Sequence, residues 1–221
     1  MNIIAINGSP RKNENTATLL EKALEGAADK GAQTELIHLY DLTYKGCISC
    51  FACKRIGGKN YGKCAVKDDL AEVFEKIEAA DALILGSPIY FGEVTGEMRS
   101  FLERLFFQYH VYDKQRTILF PKKIKTGFIF TMNAPDRVLK EIKYDMKFKG
   151  YESILTHFFG SAKTLEVTDT WQFPDYSKFE ATSFNVDAKA KRRREIFPND
   201  CEKAYALGAE LVTENSDVKT K

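Results

Sequence analysis

Histidine is scarce: the 221 residues contain three, His38, His110 and His157, and they are too scattered to suggest a metal set. Long apolar runs are missing too. Nothing approaches the roughly 20 residues that cross a bilayer, which excludes a helical membrane protein. The first seven residues, Met1-Asn2-Ile3-Ile4-Ala5-Ile6-Asn7, have no basic segment followed by a long apolar stretch. No secretory signal is therefore expected, and a cytoplasmic location is. The formal charge is only +2, which gives no electrostatic footprint for nucleic acid. Two phosphate-binding signatures are also absent. There is no G-x-G-x-x-G for a dinucleotide and no G-K-[ST] closing a P-loop. Internal repeats and low-complexity segments are lacking.

What is present is the composition of a folded domain: 44% hydrophobic and 29% charged residues. The length suits one domain over 1–221. Ile3 to Ile6 reads as a buried strand that ends at Asn7-Gly8-Ser9-Pro10. Leu19, Leu20, Ala23, Leu24 and Ala27 then fall at helical spacing, with Gly31 as a stop. Thr34, Leu36 and Leu39 suggest a second strand. Asp68 or Asp69 is expected to cap a helix whose core face is Leu70, Val73, Phe74 and Ile77. Ala82 to Gly86 is a strand without alternation, so both its faces should be buried. A helix carrying Met98, Phe101, Leu102, Leu105 and Phe106 follows, then a strand over Lys125 to Thr131. Leu139 to Phe159 reads as helix with a break at Gly150. Ala162 to Val167 is the fifth strand, Ala188 to Glu195 a charged helical piece, and Asp200 to Val212 the last helix, fraying from about Thr213. This alternation predicts an α/β fold, a five-stranded parallel sheet in the order 2-1-3-4-5 with helices on both faces. A ligand should then sit beyond the carboxyl ends of strands 1, 3 and 4, where the strand order reverses.

The three loops at those ends have unusual compositions. In the first, Ser9, Arg11, Asn15 and Thr16 lie between a strand and a helix. Hydroxyl, amide and guanidinium donors beside unpaired helix amides suit a phosphate; the alternative is a capped turn with no ligand. In the second, Pro88, Ile89, Tyr90, Phe91 and Gly92 suit a platform for a flat apolar ring, with Tyr90 and Phe91 shaping the substrate face. The alternative there is packing under a neighbouring loop or subunit. The third, Thr131 to Pro135, closes the same face.

Four of the five cysteines, Cys47, Cys50, Cys53 and Cys64, crowd into one loop, 44–68. Four soft thiolates so close suit a metal, and the C-x2-C-x2-C run fits [4Fe–4S] better than the paired hooks of zinc. Ordinary reduced thiols and a reversible redox pair are the other readings. Cys201 reads as packing. Residues 169–198 form an aromatic and basic excursion before the last helix. Trp171, Phe173, Tyr176 and Phe179 suit either a contact with another subunit or a strap over the chain itself. The basic run Lys189 to Arg194 reads as a solvated helix face.

With these residues in view, the chain resembles the flavodoxin-like NAD(P)H-dependent FMN reductases, and most of all their iron–sulfur flavoprotein branch. The resemblance rests on Gly8-Ser9-Pro10-Arg11, Asn15-Thr16, Gly46-Cys47 through Cys53, Cys64, Lys67-Asp68-Asp69, and Ser87-Pro88-Ile89-Tyr90-Phe91-Gly92. It implies a flavodoxin-like three-layer sandwich holding FMN. Ser9, Arg11, Asn15 and Thr16 would hold the phosphate, Pro88 to Gly92 would line the ring, and Thr131 and Asn133 would add contacts. It also implies that Cys47, Cys50, Cys53 and Cys64 ligate a [4Fe–4S] cluster, although the ten-residue gap before Cys64 is longer than is usual in that branch. The implied function is an oxidoreductase moving electrons from NAD(P)H or a reduced carrier to a quinone, nitro compound or flavin, with no side-chain acid or base required. The alternative is an electron carrier serving a ferredoxin-like partner. Homodimers or homotetramers are expected.

Overall fold

A computed structural model of the chain describes residues 1–213. Its sheet is built on β1 (Asn2–Asn7), β2 (Gln33–His38), β3 (Ala82–Tyr90), β5 (Ile124–Thr131) and β6 (Gly160–Val167), all parallel to their neighbours, in the order β2-β1-β3-β5-β6. A two-residue strand, β4 (Glu93–Val94), turns back antiparallel on the end of β3. Without β4 in the count, the order is the expected 2-1-3-4-5, and the fold is the flavodoxin-like α/β sandwich.

The missing alternation in the central strands follows from two buried faces. Ile4, Ile6, Leu83, Leu85, Phe128 and Phe130 pack against α2 (Leu70–Ala79), α3 (Gly96–Tyr109) and α5 (Tyr144–Phe159). Ile3, Ala5, Ala82, Ile84 and Ile129 pack on the other side against α1 (Asn15–Ala28) and α7 (Phe197–Val212). Each Ile, Leu or Phe among them contributes roughly 1.5–3 kcal/mol on burial. The edge strand β2 starts with exposed Gln33, Thr34 and Glu35, which discourages pairing with another sheet. Helices α1 and α7 cross closely at Gly208, where a Cβ would stand 1.7 Å from the Ala23 carbonyl oxygen.

Several boundaries differ from the sequence reading. The break within 139–159 is not at Gly150. A short α4 (Asp136–Glu141) ends before Lys143, whose φ of 55° is left-handed, and α5 then runs unbroken through Gly150. The buried Phe148, Leu155, Phe158 and Phe159 hold α5 together, and their packing outweighs the roughly 1 kcal/mol a glycine costs. Strand β2 ends at His38, with Leu39 buried in a single 3₁₀ turn. Ser87 to Tyr90, expected as loop, continues β3. Helix α7 starts at Phe197, ahead of Asp200. Asp69 occupies the N-cap of α2 but makes no capping bond. Its Oδ2 instead accepts from the Thr43 amide at 2.6 Å, while Asp68 accepts from the Leu70 amide at 3.2 Å. The fraying expected after Thr213 lies outside the described residues. No helix among the described residues is long and apolar enough to cross a membrane.

Candidate functional site

The carboxyl ends of β1, β3 and β5 open on a crevice of about 410 Å³, within the range of small-molecule sites. It is lined by Ser9, Arg11, Asn15, Thr16, Pro88, Ile89, Tyr90, Thr131 and Asn133, so most of the candidate positions meet at one place. Phe91 and Gly92 do not. They form the tip of the β3–β4 hairpin, Phe91 fully exposed at a φ of 50° and Gly92 at 86°. A Cβ on Gly92 would lie 2.4 Å from the Tyr144 hydroxyl, so that glycine serves packing against α5.

The first loop is held from three directions. Asn7 Oδ1 accepts from the Ser9 amide at 2.9 Å, while its Nδ2 lies 2.9 Å from His38 Nδ1. The Thr95 hydroxyl donates to the Gly8 carbonyl at 2.7 Å and accepts from the Met98 amide, capping α3 against the loop. Thr16 Oγ1 lies 2.7 Å from Thr131 Oγ1, both buried. Glu14, the N-cap of α1, contributes no capping bond and the first turn has no acidic residue. The first amides of α1 thus have no side-chain cap, and the Glu14 carboxylate lines the crevice beside them. Asn133 Oδ1 is buried with no hydrogen-bond partner among the described residues.

The excursion after β6 closes the crevice from the other side, adding Thr170, Gln172, Phe173 and Pro174 to its walls. Within the chain it acts as a strap. Phe173 stacks on Phe179 at 4.3 Å, and Trp171 meets Tyr176 edge-on at 4.6 Å. Arg11 reaches across, its Nη1 donating to the Gln172 carbonyl at 2.5 Å. Asn15 Nδ2 donates to the Trp171 carbonyl at 2.8 Å, and its Oδ1 accepts from Arg193 at 2.8 Å.

The basic run is thus a solvated face only in part, at the exposed Lys191 and Arg194. It lies on α6 (Val186–Glu195), where Lys189 is buried and pairs with Asp169 at 2.5 Å. Arg192 pairs with Asp200 at 2.8 Å, and Arg193 sits 4.0 Å over the Phe197 ring. An apparent charge block carried the signal only in its spacing: residues 189, 192 and 193 share a helical face.

The cysteine loop packs on the far end of α3. Ser49 and Phe51 take left-handed φ values of 53° and 55°, and a 3₁₀ turn spans Ala52–Lys54. The Lys54 ammonium donates to the carbonyls of Phe107, Gln108 and His110, capping the α3 C-terminus. Burial draws its pKa down. Cys47, Cys50, Cys53 and Cys64 line one cavity, together with Arg104 and Gln108 of α3. Burial pushes the Cys53 thiol up; Lys54 opposes the rise, and Cys64 and Cys50 add to it. All four are free thiols, and among the described residues no three His, Cys, Asp or Glu side chains converge as a metal-holding set. Arg104 and Gln108 were not anticipated. Two polar residues one turn apart on an apolar helix face were the available signal.

The family model for NADPH-dependent FMN reductases matches residues 1–122, more than half of the chain. The chain belongs to that family. Among curated relatives, an iron-sulfur flavoprotein of Methanocaldococcus jannaschii is 41% identical over 104 residues, covering 47% of this chain and 51% of its own. One from Archaeoglobus fulgidus is 43% identical over 104 residues, covering 47% and 48%. The chain thus spans about half the length of the curated relatives it matches. Among solved structures, an NAD(P)H:quinone oxidoreductase from Methanothermobacter marburgensis superposes with a TM-score of 0.71 at 15% identity, covering 97% of this chain and 98% of that one. An azoreductase from Bacillus anthracis gives 0.64 at 13% identity, covering 95% and 99%. At such identities the likeness is one of fold. The family's FMN reductase model and the fold agree with the parallel sheet and the switch-point crevice seen here.

Proposed function

We propose that this family member is an FMN-dependent oxidoreductase that takes electrons from NAD(P)H or a reduced carrier and passes them to a small acceptor such as a quinone, a nitro compound or a flavin. The observation that carries this reading is the convergence of three loop ends on one crevice, joined by the Thr16–Thr131 hydrogen bond. The residues fit the cofactor. An uncapped helix start with the Ser9 and Thr16 hydroxyls suits a phosphate. The partnerless Asn133 Oδ1 suits a donor on a ligand. Pro88, Ile89 and Tyr90 suit the apolar side of a ring. In this reading Ser9, Thr16 and Thr131 bind the phosphate end, while Arg11 and Asn15 brace the strap over it. Bound FMN supplies the electron transfer, and the chain binds, orients and shields it. Phe91 and Gly92 act through the hairpin tip, beside the crevice.

A second reading is favoured by the cysteine cavity: an iron–sulfur flavoprotein passing single electrons between a [4Fe–4S] cluster, FMN and a ferredoxin-like protein partner. Four thiols around one cavity, with a guanidinium and an amide on its wall, fit a thiolate-held cluster. The curated relatives named above carry that description. We also propose a cytoplasmic homodimer or homotetramer, with the loop 44–68 and the excursion 169–198 as additions to one domain.

The test is the visible spectrum of protein purified without oxygen. Flavin bands alone would support FMN without a cluster. A broad iron–sulfur shoulder that disappears in Cys64→Ser would support the second reading. A colourless protein that takes up no added FMN would overturn both.

A further inference from the structure

Arg104 and Gln108 lie one turn apart on α3, and both are buried, at 2% and 3% exposure. Each is only partly satisfied. The Arg104 Nη1 pairs with Asp68 at 2.5 Å and donates to the Lys45 carbonyl at 3.2 Å. Gln108 Oε1 accepts from the Cys64 amide at 2.9 Å. The Nε of Arg104 and the Nε2 of Gln108 have no hydrogen-bond partner among the described residues. A buried N–H without a partner costs stability, so two on one helix face point to an acceptor beside them. Both residues line the cavity that Cys47, Cys50, Cys53 and Cys64 line.

We propose that Arg104 and Gln108 are positioning residues of the four-cysteine site, their free N–H groups donating to the sulfurs of an iron–sulfur cluster there and favouring its more reduced form. The inference rests on the second reading above. A thiolate-held cluster becomes more negative on reduction. Fixed N–H donors and a fixed cation near sulfur therefore stabilise the reduced form more than the oxidised form. Asp68 fixes the guanidinium plane by engaging Nη1, which leaves the Nε edge for the cavity.

Two substitutions in the full chain separate this role from packing. Arg104→Lys keeps the charge and loses the planar fork. Gln108→Met keeps the length of the side chain, adds no charge and loses the Nε2 donor. Protein reconstituted with iron and sulfide without oxygen is first analysed for both elements, then titrated potentiometrically by absorbance and electron paramagnetic resonance. Each variant should keep its iron, and its cluster should be about tenfold harder to reduce, a fall of about 59 mV for one electron. Unchanged potentials in both variants, with iron retained, would overturn the inference alone. Should Arg104→Lys fail to fold, Gln108→Met decides by itself. Wild-type protein that takes up no iron or sulfide overturns the cluster reading and this inference together, and the elemental analysis identifies that case before any titration.

Discussion

The hydroxyls of Thr16, in the first turn of α1, and Thr131, the last residue of β5, lie 2.7 Å apart in a buried position. The bond joins segments 115 positions apart and fixes the helix start against the far wall of the crevice. A hydroxyl pair has a donor to spare, which an anion at the crevice mouth can use.

Replacing Thr16 with valine removes that hydroxyl at nearly constant shape. A hydrogen bond to a charged group is worth about 1.5–3 kcal/mol, so Thr16→Val should weaken FMN binding by roughly 10–100-fold. Quenching of flavin fluorescence on titration into flavin-free protein measures this. An affinity within about twofold of wild type would mean that the pair serves packing only.

The strap depends on Lys189, whose side chain is 4% exposed and paired with Asp169 at 2.5 Å. Asp169 itself has a left-handed φ of 49°, a conformation that the ion pair helps hold. Lys189→Met keeps the aliphatic stem and leaves the carboxylate without its partner. The Asp169 carboxylate left behind is 31% exposed, so the cost should fall below the roughly 3–5 kcal/mol of a fully buried pair. Urea unfolding should show that loss, and thermolysin should cut residues 170–185 faster than in wild type. Wild-type stability and cleavage rate in the variant would show that Asp169 finds another partner.

Glu93 gives the hairpin beside the crevice a dependence on pH. The hydrogen bond from Lys147, at 2.7 Å, holds its carboxyl below the usual range, against the opposing effect of burial. Lys147 also donates to the Gly92 carbonyl at 3.0 Å. Because the folded value is lower than the unfolded one, the contribution is complete above the unfolded carboxylate range. It is lost as pH falls through the depressed folded value. In Lys147→Met the Glu93 midpoint, followed by carbon-13 NMR of its carboxyl, should rise. The stability gap between wild type and variant should narrow as the solution is made acid. A midpoint that stays put would mean that Tyr151, at 3.2 Å, suffices to hold the carboxylate.

The parallel sheet and the switch-point crevice were legible because they rest on local pattern: unalternating runs such as Ala82 to Leu85, helical spacing in Leu19 to Ala27, and loops of odd composition at the strand ends. Such features record which faces are buried, and periodicity alone carries that record. The positions of Arg193 against Asn15, of Lys189 against Asp169, and of Arg104 and Gln108 on the cysteine cavity were not legible. Each joins residues whose pairing depends on how whole elements dock. A charged side chain in a helix reads as solvated until the surface above it is known. Pattern in the chain set which backbone ends met at the crevice. Only the packing of α3, α6 and the strap decided which charges were buried there, because desolvation is a property of the assembled surroundings and not of the residue.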